Sequence, residues 1–218
     1  LPIRDDRYRI SFSHQTTIRS NLSARVAVEQ QSDAQIVRDF FETFHRGNPE
    51  PKSFLELNQL WPNFSLNLLA QPQLNDFFQT VERLPDVKLS ALRQQLGVSP
   101  FFYEGENSAG YFRFRPMEGS GTNGYAALRA DTFHQLLLPQ TFFGWLNVTP
   151  RVGARFTQYG DTEGEGSTFD EQGRAVFNTG AEVSLKASRL WEGASSRFWE
   201  VNGLRHIIQP TVNYVFVP

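Results

Sequence analysis

Residues 181–188 read AEVSLKAS, and this stretch poses the choice of fold for the whole chain. Its apolar residues alternate with polar ones and are Ala181, Val183, Leu185 and Ala187. Side chains of a β-strand point to opposite faces at a period of two, so the stretch predicts a strand with one apolar and one polar face. In a soluble sandwich the apolar face would be the core. In a membrane barrel it would contact lipid, and the polar face would line the lumen.

The same alternation recurs along the chain and predicts an all-β, antiparallel protein. We count roughly nine to eleven strands, many near the ~9–11 residues that a tilted membrane-spanning strand needs. No repeat at a fixed period of about 20–50 residues is present, which argues against a propeller or a solenoid. The clearest strand-like segments are 7–14 (RYRISFSH), 22–29 (LSARVAVE), 63–71 (NFSLNLLAQ), 111–115 (YFRFR), 150–159 (PRVGARFTQY) and 211–217 (TVNYVFV).

The connections between these segments differ in length. Residues 61–63 and the Gly-rich 118–124 (EGSGTNG) read as short turns. Residues 32–52 are long enough for a short helix followed by a Pro/Asn/Gly break, and the acidic, Gly-rich 160–173 is expected to be exposed. Long loops alternating with short ones are typical of outer-membrane barrels, whose long loops are extracellular.

Composition narrows the function classes. The 218 residues include 21 Lys and Arg against 23 Asp and Glu, a net charge of −2, so the chain lacks the basic field that nucleic-acid binding needs. Mean hydropathy is −0.42, and no run of about 18 apolar residues is present for a transmembrane helix. Aromatic residues make up 14%, which suits both membrane girdles and sandwich cores. Cysteine is absent, which excludes a disulfide framework and thiol metal sites within this chain.

The sequence offers no pattern for catalysis, a cofactor or a metal. The four histidines lack the spacing of metal ligands and are His14, His45, His134 and His206. No Gly-x-Ser-x-Gly motif is present. The acid pairs Asp5-Asp6 and Asp170-Glu171 flank predicted exposed turns, where solvation or contact with a loop-bound cation is expected. We therefore predict no catalytic, cofactor-binding or metal-binding residue, and leave the binding residues unassigned. A barrel hydrolase would require a Ser and a His within hydrogen-bond reach on the lipid-facing wall.

Prolines and tryptophans are expected at strand boundaries. Proline cannot donate to a strand ladder, so Pro116, Pro150 and Pro210 predict strand starts, ends or bulges. The tryptophans also fall near predicted strand ends, which fits either a lipid–water boundary or sandwich ends; they are Trp61, Trp145, Trp191 and Trp199.

Charged residues on the polar faces give two further expectations. Glu182 and Lys186 can pair along one face of their strand. Arg113 and Arg115 are expected to share no face with a nearby acid. Either polar face would suit a sandwich exterior or a barrel lumen.

Three segments, in order, resemble the barrel of the lipopolysaccharide-assembly outer-membrane family LptD. Residues 81–87 (VERLPDV) resemble an element between barrel strands of that family. Residues 129–159, ending in GWLNVTPRVGARFTQY, resemble its Arg-rich strand and the W-x-x-x-x-P-x-x-G-x-R-x-x-x-Y strand that follows. Residues 204–218 resemble its RH-x-x-x-P-x-x-x-Y-x-Y-x-P pattern, with Phe216 where Tyr is commoner. The resemblance extends over roughly residues 7–218.

The resemblance implies a large barrel that receives lipopolysaccharide from periplasmic bridge proteins and inserts it into the outer leaflet of the cell outer membrane in a Gram-negative-type bacterium. It also implies a plug lipoprotein (LptE-like) inside the barrel, a periplasmic jelly-roll, contact with membrane lipids, and a lateral exit between the first and last strands. The jelly-roll, the seam strands and the family's linking cysteines are not recognisable in this sequence, so no gating residue is assigned.

The chain is therefore predicted to be a segment of an antiparallel transmembrane β-barrel, with residues 1–218 forming a partial barrel domain whose two ends both look truncated. No enzymatic activity, cofactor or nucleic-acid partner is expected. Two alternatives remain open. One is another outer-membrane channel or transporter barrel, and the other is a soluble β-sandwich binding module.

Overall fold

The computed structural model describes residues 6–47, 50, 52–167 and 169–218. The described chain is all-β and antiparallel, as predicted, with thirteen strands and two short helices. No helix among the described residues is both long and apolar enough to cross a membrane.

The strands follow one another with few interruptions. They are β1 (Arg9–Arg19), β2 (Leu22–Gln31), β3 (Phe54–Leu60), β4 (Phe64–Gln71), β5 (Thr80–Gln95), β6 (Phe102–Arg115), β7 (Tyr125–Leu137), β8 (Gln140–Phe142), β9 (Leu146–Tyr159), β10 (Gln172–Leu185), β11 (Ala187–Ser196), β12 (Val201–Ile208) and β13 (Thr211–Phe216). The helices α1 (Ile36–Phe40) and α2 (Glu42–Gly47) lie between β2 and β3.

Eleven strands form one sheet with the hydrogen-bonded order β1-β2-β3-β4-β5-β6-β7-β9-β10-β13, and β8 pairs with β9. Strands β11 and β12 form a separate hairpin between β10 and β13 in the chain. The count exceeds the predicted nine to eleven because the three-residue β8 and this hairpin add strands that periodicity does not separate. Within the described residues the order runs from β1 to β13 without returning to β1, so closure into a barrel is not part of the observed fold.

The chain divides into two compact units. Unit 1 comprises Leu1–Leu92, Gly105–Phe133 and Arg155–Ala175, and unit 2 comprises Arg93–Glu104, His134–Ala154 and Val176–Pro218. Both units are built from neighbouring antiparallel strands.

The register of β1 to β5 places apolar residues together on one face of the sheet. Val26 of β2 lies opposite Leu55 of β3, and the next strands continue this row with Leu57 opposite Leu68 and Leu68 opposite Val87. We call this side the apolar face. Because paired residues share a face, the alternate positions form a second row, which we call the polar face.

Burial is the reverse of that in a soluble domain. Among the described residues, the buried hydrophobic side chains are Ile36, Val37, Ala126 and Leu137. More polar or charged residues than apolar ones are buried, namely Gln31, Ser32, Asp33, Ser53, Asn75, Glu82, Asp131, Gln135 and Thr157. Val183 and Phe156 are instead 36% and 48% exposed. The apolar face therefore does not converge on a protein core in either unit.

The stretch 181–188 is not one strand, contrary to its unbroken alternation. Strand β10 ends at Leu185, Lys186 lies outside the strands, and β11 begins at Ala187. The last β10–β13 pair joins Ser184 to Thr211, so the chain leaves the sheet here to form the β11–β12 hairpin. The expected Glu182–Lys186 pair is absent from the described ion pairs, because a shared strand face no longer extends to Lys186.

The predicted connections are confirmed in outline. Residues 61–63 and 118–124 lie between strands as turns, and 160–171 is mostly exposed, with Thr168 outside the described residues. The predicted helix is two short helices, α1 and α2. The break expected after them falls largely on Asn48, Pro49 and Pro51, which lie outside the described residues.

Two of the three prolines lie at strand boundaries as expected. Pro116 follows β6, and Pro210 precedes β13. Pro150 lies inside β9, where its carbonyl accepts a hydrogen bond from Leu138 N over 3.0 Å. Pro150 lacks an N–H group but does not end the strand. Strand β8 pairs with β9 before this position, and the Pro150 carbonyl still accepts from the segment that follows β7.

Three of the four tryptophans lie in turns. Trp61 connects β3 to β4, Trp145 connects β8 to β9, and Trp199 connects β11 to β12. Trp191 instead lies within β11, at an irregularity in its pairing with β12. The strand-end prediction is therefore confirmed for the first three and wrong for Trp191.

Candidate functional site

The polar face of β1 to β4 carries a connected set of charged and amide side chains. Arg9 of β1 donates from Nη2 to Glu29 Oε2 of β2 over 3.1 Å, and both side chains are largely shielded from solvent. Asn67 of β4 donates to Glu56 Oε1 and Asn58 Oδ1 of β3 over 2.8 and 2.7 Å. Hydrogen bonds between side chains of neighbouring strands satisfy polar groups that point away from the apolar face.

The same face continues on β5 to β9 of unit 1 with alternating charges. Lys88 of β5, opposite Asn67 in the register, lies 2.6 Å from Glu106 of β6. Asp131 of β7 accepts hydrogen bonds from Arg129 of the same strand and from Arg155 of β9, over 2.8 and 2.7 Å. Residues two apart on a strand share a face, so Arg129 and Asp131 lie on the polar side with Arg155. Two guanidinium groups therefore surround one carboxylate.

Unit 2 has a comparable polar row. Glu104 of β6 accepts from Arg93 Nε over 2.9 Å and from Gln135 Nε2 over 2.9 Å. Gln135 Oε1 in turn accepts from Asn178 Nδ2 of β10 over 3.4 Å. These bonds connect four strands through side chains that lie on one face. The polar face is thus organised by hydrogen bonds in both units.

An aromatic pocket interrupts the polar face of unit 1 near the ends of β5, β6, β7 and β9. Its volume is about 270 Å³. Its walls are mainly rings and aliphatic groups, contributed by Val81, Phe112, Phe114, Tyr125, Ala127, Tyr159 and Phe169, with Arg129, Thr162, Asp170 and Gln172 as polar members and Gly160 completing the lining. The Phe114 and Tyr125 ring centroids are 5.3 Å apart, and the Arg129 guanidinium lies 5.5 Å from the Tyr159 ring centroid.

A buried carboxylate lies at the same end of the strands but on the opposite face. Register pairs Leu69 with Asp86 and Gln71 with Arg83, so β5 has one extra residue between these pairs and its facing switches there. Arg83 remains on the polar face, and its neighbour Glu82 therefore points to the other side.

Glu82 accepts two hydrogen bonds and forms a further ion pair with Arg115. Gln73 N donates to Oε1 over 2.8 Å, Arg113 Nε donates to Oε2 over 2.6 Å, and Arg115 Nε lies 3.6 Å from Oε2. The expectation that Arg113 and Arg115 share no face with a nearby acid is therefore wrong. The acid is close in space although about thirty residues away in sequence, and the one-residue bulge in β5 places it on their side.

The connection between β2 and β3 is held to the start of β1 by an ion pair. Arg7 donates from Nε and Nη2 to both carboxylate oxygens of Asp33, over 3.0 and 2.9 Å. Asp33 also accepts from Ser32 Oγ and Gln35 N, each over 2.9 Å. The hydrogen bonds from Arg7 hold the pKa of the Asp33 carboxyl below its ordinary value of 3.8, although partial burial opposes this shift.

The histidines and acid pairs do not meet in a catalytic or metal-binding group within the described residues. The histidines are spread over β1, α2, β7 and β12, as His14, His45, His134 and His206. Tyr103 Oη and His134 Nδ1 form a hydrogen bond of 2.7 Å. No group of three or more potential metal ligands occurs in the part of the chain that the structure describes. Asp5 of the first acid pair lies outside that part.

Sequence reasoning assigned no binding residue and missed the aromatic pocket. Two alternations carried a signal for it. In YFRFR, Phe112 and Phe114 fall on one face, and in YAALR, Tyr125 and Arg129 share a face. An aromatic pair on the side that is polar in the rest of the strand indicates a local function for that surface.

Comparison with known proteins adds a family match to this geometry. The family model described as LptD, LPS transport system D, matches residues 5–218. The chain is also 25% identical over 237 residues to the LPS-assembly protein LptD of Nitrosospira multiformis. That alignment covers 100% of this chain and 23% of the relative, so the chain spans about a quarter of the length of that protein.

Proposed function

This chain belongs to the LptD family, and from that premise we propose that residues 1–218 form part of a transmembrane β-barrel that inserts lipopolysaccharide into the outer leaflet of the outer membrane. In this proposal the apolar face contacts lipid and the polar face lines the lumen. The edges β1 and β13 pair with further strands of a longer protein and close the barrel, which leaves no unpaired backbone in lipid.

The observation that carries the proposal is the outward exposure of the apolar face. Large hydrophobic side chains on successive strands are exposed, among them Phe12 of β1, Leu55 of β3 and Val212 of β13. Soluble domains rarely expose contiguous apolar patches larger than a few hundred Å². A bilayer would cover such a face, since burying apolar area yields about 25 cal/mol per Å².

The polar face supports the second half of the proposal. Lipopolysaccharide combines acyl chains with a hydrophilic, anionic saccharide, which needs a polar path. Hydrogen-bonded charges such as Lys88–Glu106 and Asp131–Arg155 make a surface that water and sugars can wet. The partners we propose are lipopolysaccharide, a plug lipoprotein (LptE-like) inside the barrel, and periplasmic bridge proteins. No catalytic residue or cofactor is part of this role, because transport through a passive lumen requires no bond to be broken.

The orientation of the two faces can be tested at neighbouring positions. Leu57 and Asn58 are consecutive residues of β3 on opposite faces. A dansylalanine at either position, in the full-length protein reconstituted in vesicles, should report its surroundings. We expect brominated lipid to quench the probe at Leu57 strongly and the probe at Asn58 weakly. Equal quenching at both positions, or stronger quenching at Asn58, would rule out the proposed orientation.

The transported molecule can be tested by photo-crosslinking in living cells. A benzoylphenylalanine at Asn58 or Ser90, both on the polar face, should capture lipopolysaccharide as a slower band that a lipopolysaccharide antibody recognises. The same group at Leu57 serves as the matched control. Lipid-facing behaviour without any lipopolysaccharide adduct would favour a different outer-membrane channel, whereas monodisperse protein without detergent would favour a soluble sandwich.

A further inference from the structure

The aromatic pocket stands apart from the rest of the polar face. Arg129, Asp131 and Arg155 establish which side of β7 and β9 is polar, because they hydrogen-bond across it. Tyr125 lies four residues before Arg129 on β7, and Tyr159 lies four residues after Arg155 on β9. Residues an even number of positions apart on a strand share a face, so both tyrosine rings lie on the polar side as well. Aromatic rings that face water in the proposed lumen have no lipid to cover them.

The rings are arranged as separate walls around a cavity. Phe114 and Tyr125 are tilted by 33° with centroids 5.3 Å apart, so they do not stack face to face. Tyr125 and Tyr159 are each more than two-fifths exposed. Phe169 is held over the pocket by its loop, since Thr162 Oγ1 donates to Phe169 O over 2.7 Å and accepts from Phe169 N over 3.2 Å. Exposed ring faces of this kind can cover the apolar C–H face of a sugar ring.

One wall of the pocket carries a guanidinium, and the rim carries the carboxylate of Asp170. Arg129 and Arg155 share one carboxylate, Asp131, so these three side chains together carry one positive charge in excess. The Nε of Arg129 is buried and donates to no group within the described residues. The pocket rim adds Asp170 and Gln172, whose oxygen and amide groups can bind hydroxyls.

We propose that the aromatic pocket binds a sugar ring that carries an anionic substituent, such as a phosphate or a carboxylate. Ring faces of Tyr125 and Tyr159 contact the sugar, Arg129 contacts the anion, and the rim contacts hydroxyls. At about 270 Å³ the pocket is near the lower limit of small-molecule sites, which suits one or two sugar rings and not a whole glycolipid. The inference rests on the proposed function, because the saccharide would reach the pocket through the lumen.

The proposal favours a saccharide over an acyl chain on chemical grounds. An acyl chain would gain from the rings but would leave the Arg129 guanidinium and the polar rim without partners, and unpaired polar groups at a buried contact weaken binding. An anionic sugar would place its ring against the aromatic side chains and its negative charge beside Arg129.

The test uses the full-length protein, with its co-purified partners, in a detergent without sugar groups. The probe is the lipid-free, phosphorylated oligosaccharide released from rough lipopolysaccharide, and binding is measured by saturation-transfer difference NMR. We expect Tyr159→Leu to weaken binding about tenfold or more and Tyr159→Phe to change it by less than about threefold, since only the ring face is required. Arg129→Gln should abolish the preference for the phosphorylated over the dephosphorylated saccharide.

Matched controls keep the outcome specific. Tyr214→Leu removes an exposed ring from the apolar face, and Arg25→Gln removes an exposed guanidinium from the polar face far from the pocket in the strand order. Neither should alter saccharide binding. Weaker binding by Tyr159→Leu and loss of the phosphate preference in Arg129→Gln, each with an unchanged heat-modified gel shift, attribute the effect to the pocket and not to folding.

Three results would overturn the proposal. These are no saccharide signal in the wild-type protein, equal binding by Tyr159→Leu, or competition by octyl phosphate as effective as competition by the saccharide, which would indicate an acyl occupant. These failures are separate from failure of the proposed function. The lipid-quenching experiment at Leu57 and Asn58 can succeed while the pocket binds nothing, and an inverted quenching pattern would defeat both.

Discussion

Arg155 of β9 binds both carboxylate oxygens of Asp131 of β7: Nε donates to Oδ1 over 2.8 Å and to Oδ2 over 3.1 Å, and Nη2 donates to Oδ2 over 2.7 Å. The Asp131 side chain is 5% exposed, whereas that of Arg155 is 47% exposed. The carboxylate is therefore removed from water and depends on its guanidinium partners, while the guanidinium groups can still be hydrated. Bidentate pairs of this kind fix geometry as well as adding energy.

Replacing Asp131 by Ala should destabilise the protein by about 1–3 kcal/mol, because Arg129 and Arg155 would then lie side by side without an anion. The partial exposure of both arginines keeps the effect below that of a fully buried pair. Urea unfolding of the full-length protein in vesicles measures it. Adding Arg155→Gln to Asp131→Ala should change stability little further, and fully additive effects would show that the pair is not coupled.

Glu82→Gln should destabilise more than Glu106→Gln. Glu82 is almost completely buried and holds Gln73 N and Arg113, whereas both members of the Lys88–Glu106 pair are more than two-fifths exposed. We expect about 1–3 kcal/mol for Glu82 and at most about 1 kcal/mol for Glu106. The same urea titration compares the two variants, and similar losses would mean that burial does not strengthen the Glu82 contacts.

Val183→Arg should impair assembly in membranes, by about 2–4 kcal/mol if Val183 lies near the midplane and less towards the interfaces. Val183 is on the apolar face of β10, opposite Val212 of β13. Ser184→Arg, one residue along and on the other face, is the matched control and should be mild. The heat-modified gel shift of the folded protein measures assembly, and equal tolerance of arginine at both positions would contradict lipid contact.

Gly180→Ala should weaken the pairing of β10 with β13. A Cβ at Gly180 would overlap the carbonyl oxygen of Tyr214, which is backbone and cannot rotate away. Overpacking of this kind typically costs about 1–3 kcal/mol. Gly193→Ala, in β11, has no atom near its Cβ among the described residues and should be neutral within about 0.5 kcal/mol. Hydrogen exchange of the β13 amides distinguishes the two, and unchanged protection in Gly180→Ala would refute the overlap.

The Arg7–Asp33 pair should make the stability of the β2–β3 connection depend on pH. The pKa of Asp33 is lower in the folded protein than its ordinary 3.8, so the unfolded chain binds more protons in this range and the contribution increases with pH. The unfolding difference between wild type and Asp33→Asn should be constant from about pH 7 to 5 and shrink as the pH falls below about 4. A difference in the free energy of unfolding that did not shrink at all between about pH 4 and pH 2 would show that the ion pair is not its source.

Local patterns predicted much of the secondary structure. The segments 22–29, 63–71 and 211–217 lie almost wholly within β2, β4 and β13. The prediction succeeds here because an extended backbone places alternate side chains on opposite faces whatever the rest of the chain does. The same reasoning predicted strands with one apolar and one polar side, and these sides form the apolar face and the polar face of the sheet.

Contacts between distant residues were not predictable in the same way. Arg113 and Arg115 meet Glu82 only because β5 carries an extra residue between Arg83 and Asp86, and periodicity does not show which strand is bulged. Likewise the alternation of 181–188 continues through Lys186, although hydrogen bonding to β13 stops at Ser184.

By itself, then, the sequence determined that this protein is built of antiparallel strands with one apolar and one polar side. The alternation of side chains that produces these two sides is a property of each strand alone. The tertiary structure alone decided which strands pair, where a bulge reverses the facing, and which rings from β6, β7 and β9 enclose the aromatic pocket. The physical reason is the sequence distance over which the determining interactions act. Side-chain alternation is set by neighbouring dihedral angles, whereas register is set by the sum of many contacts between segments far apart in the chain.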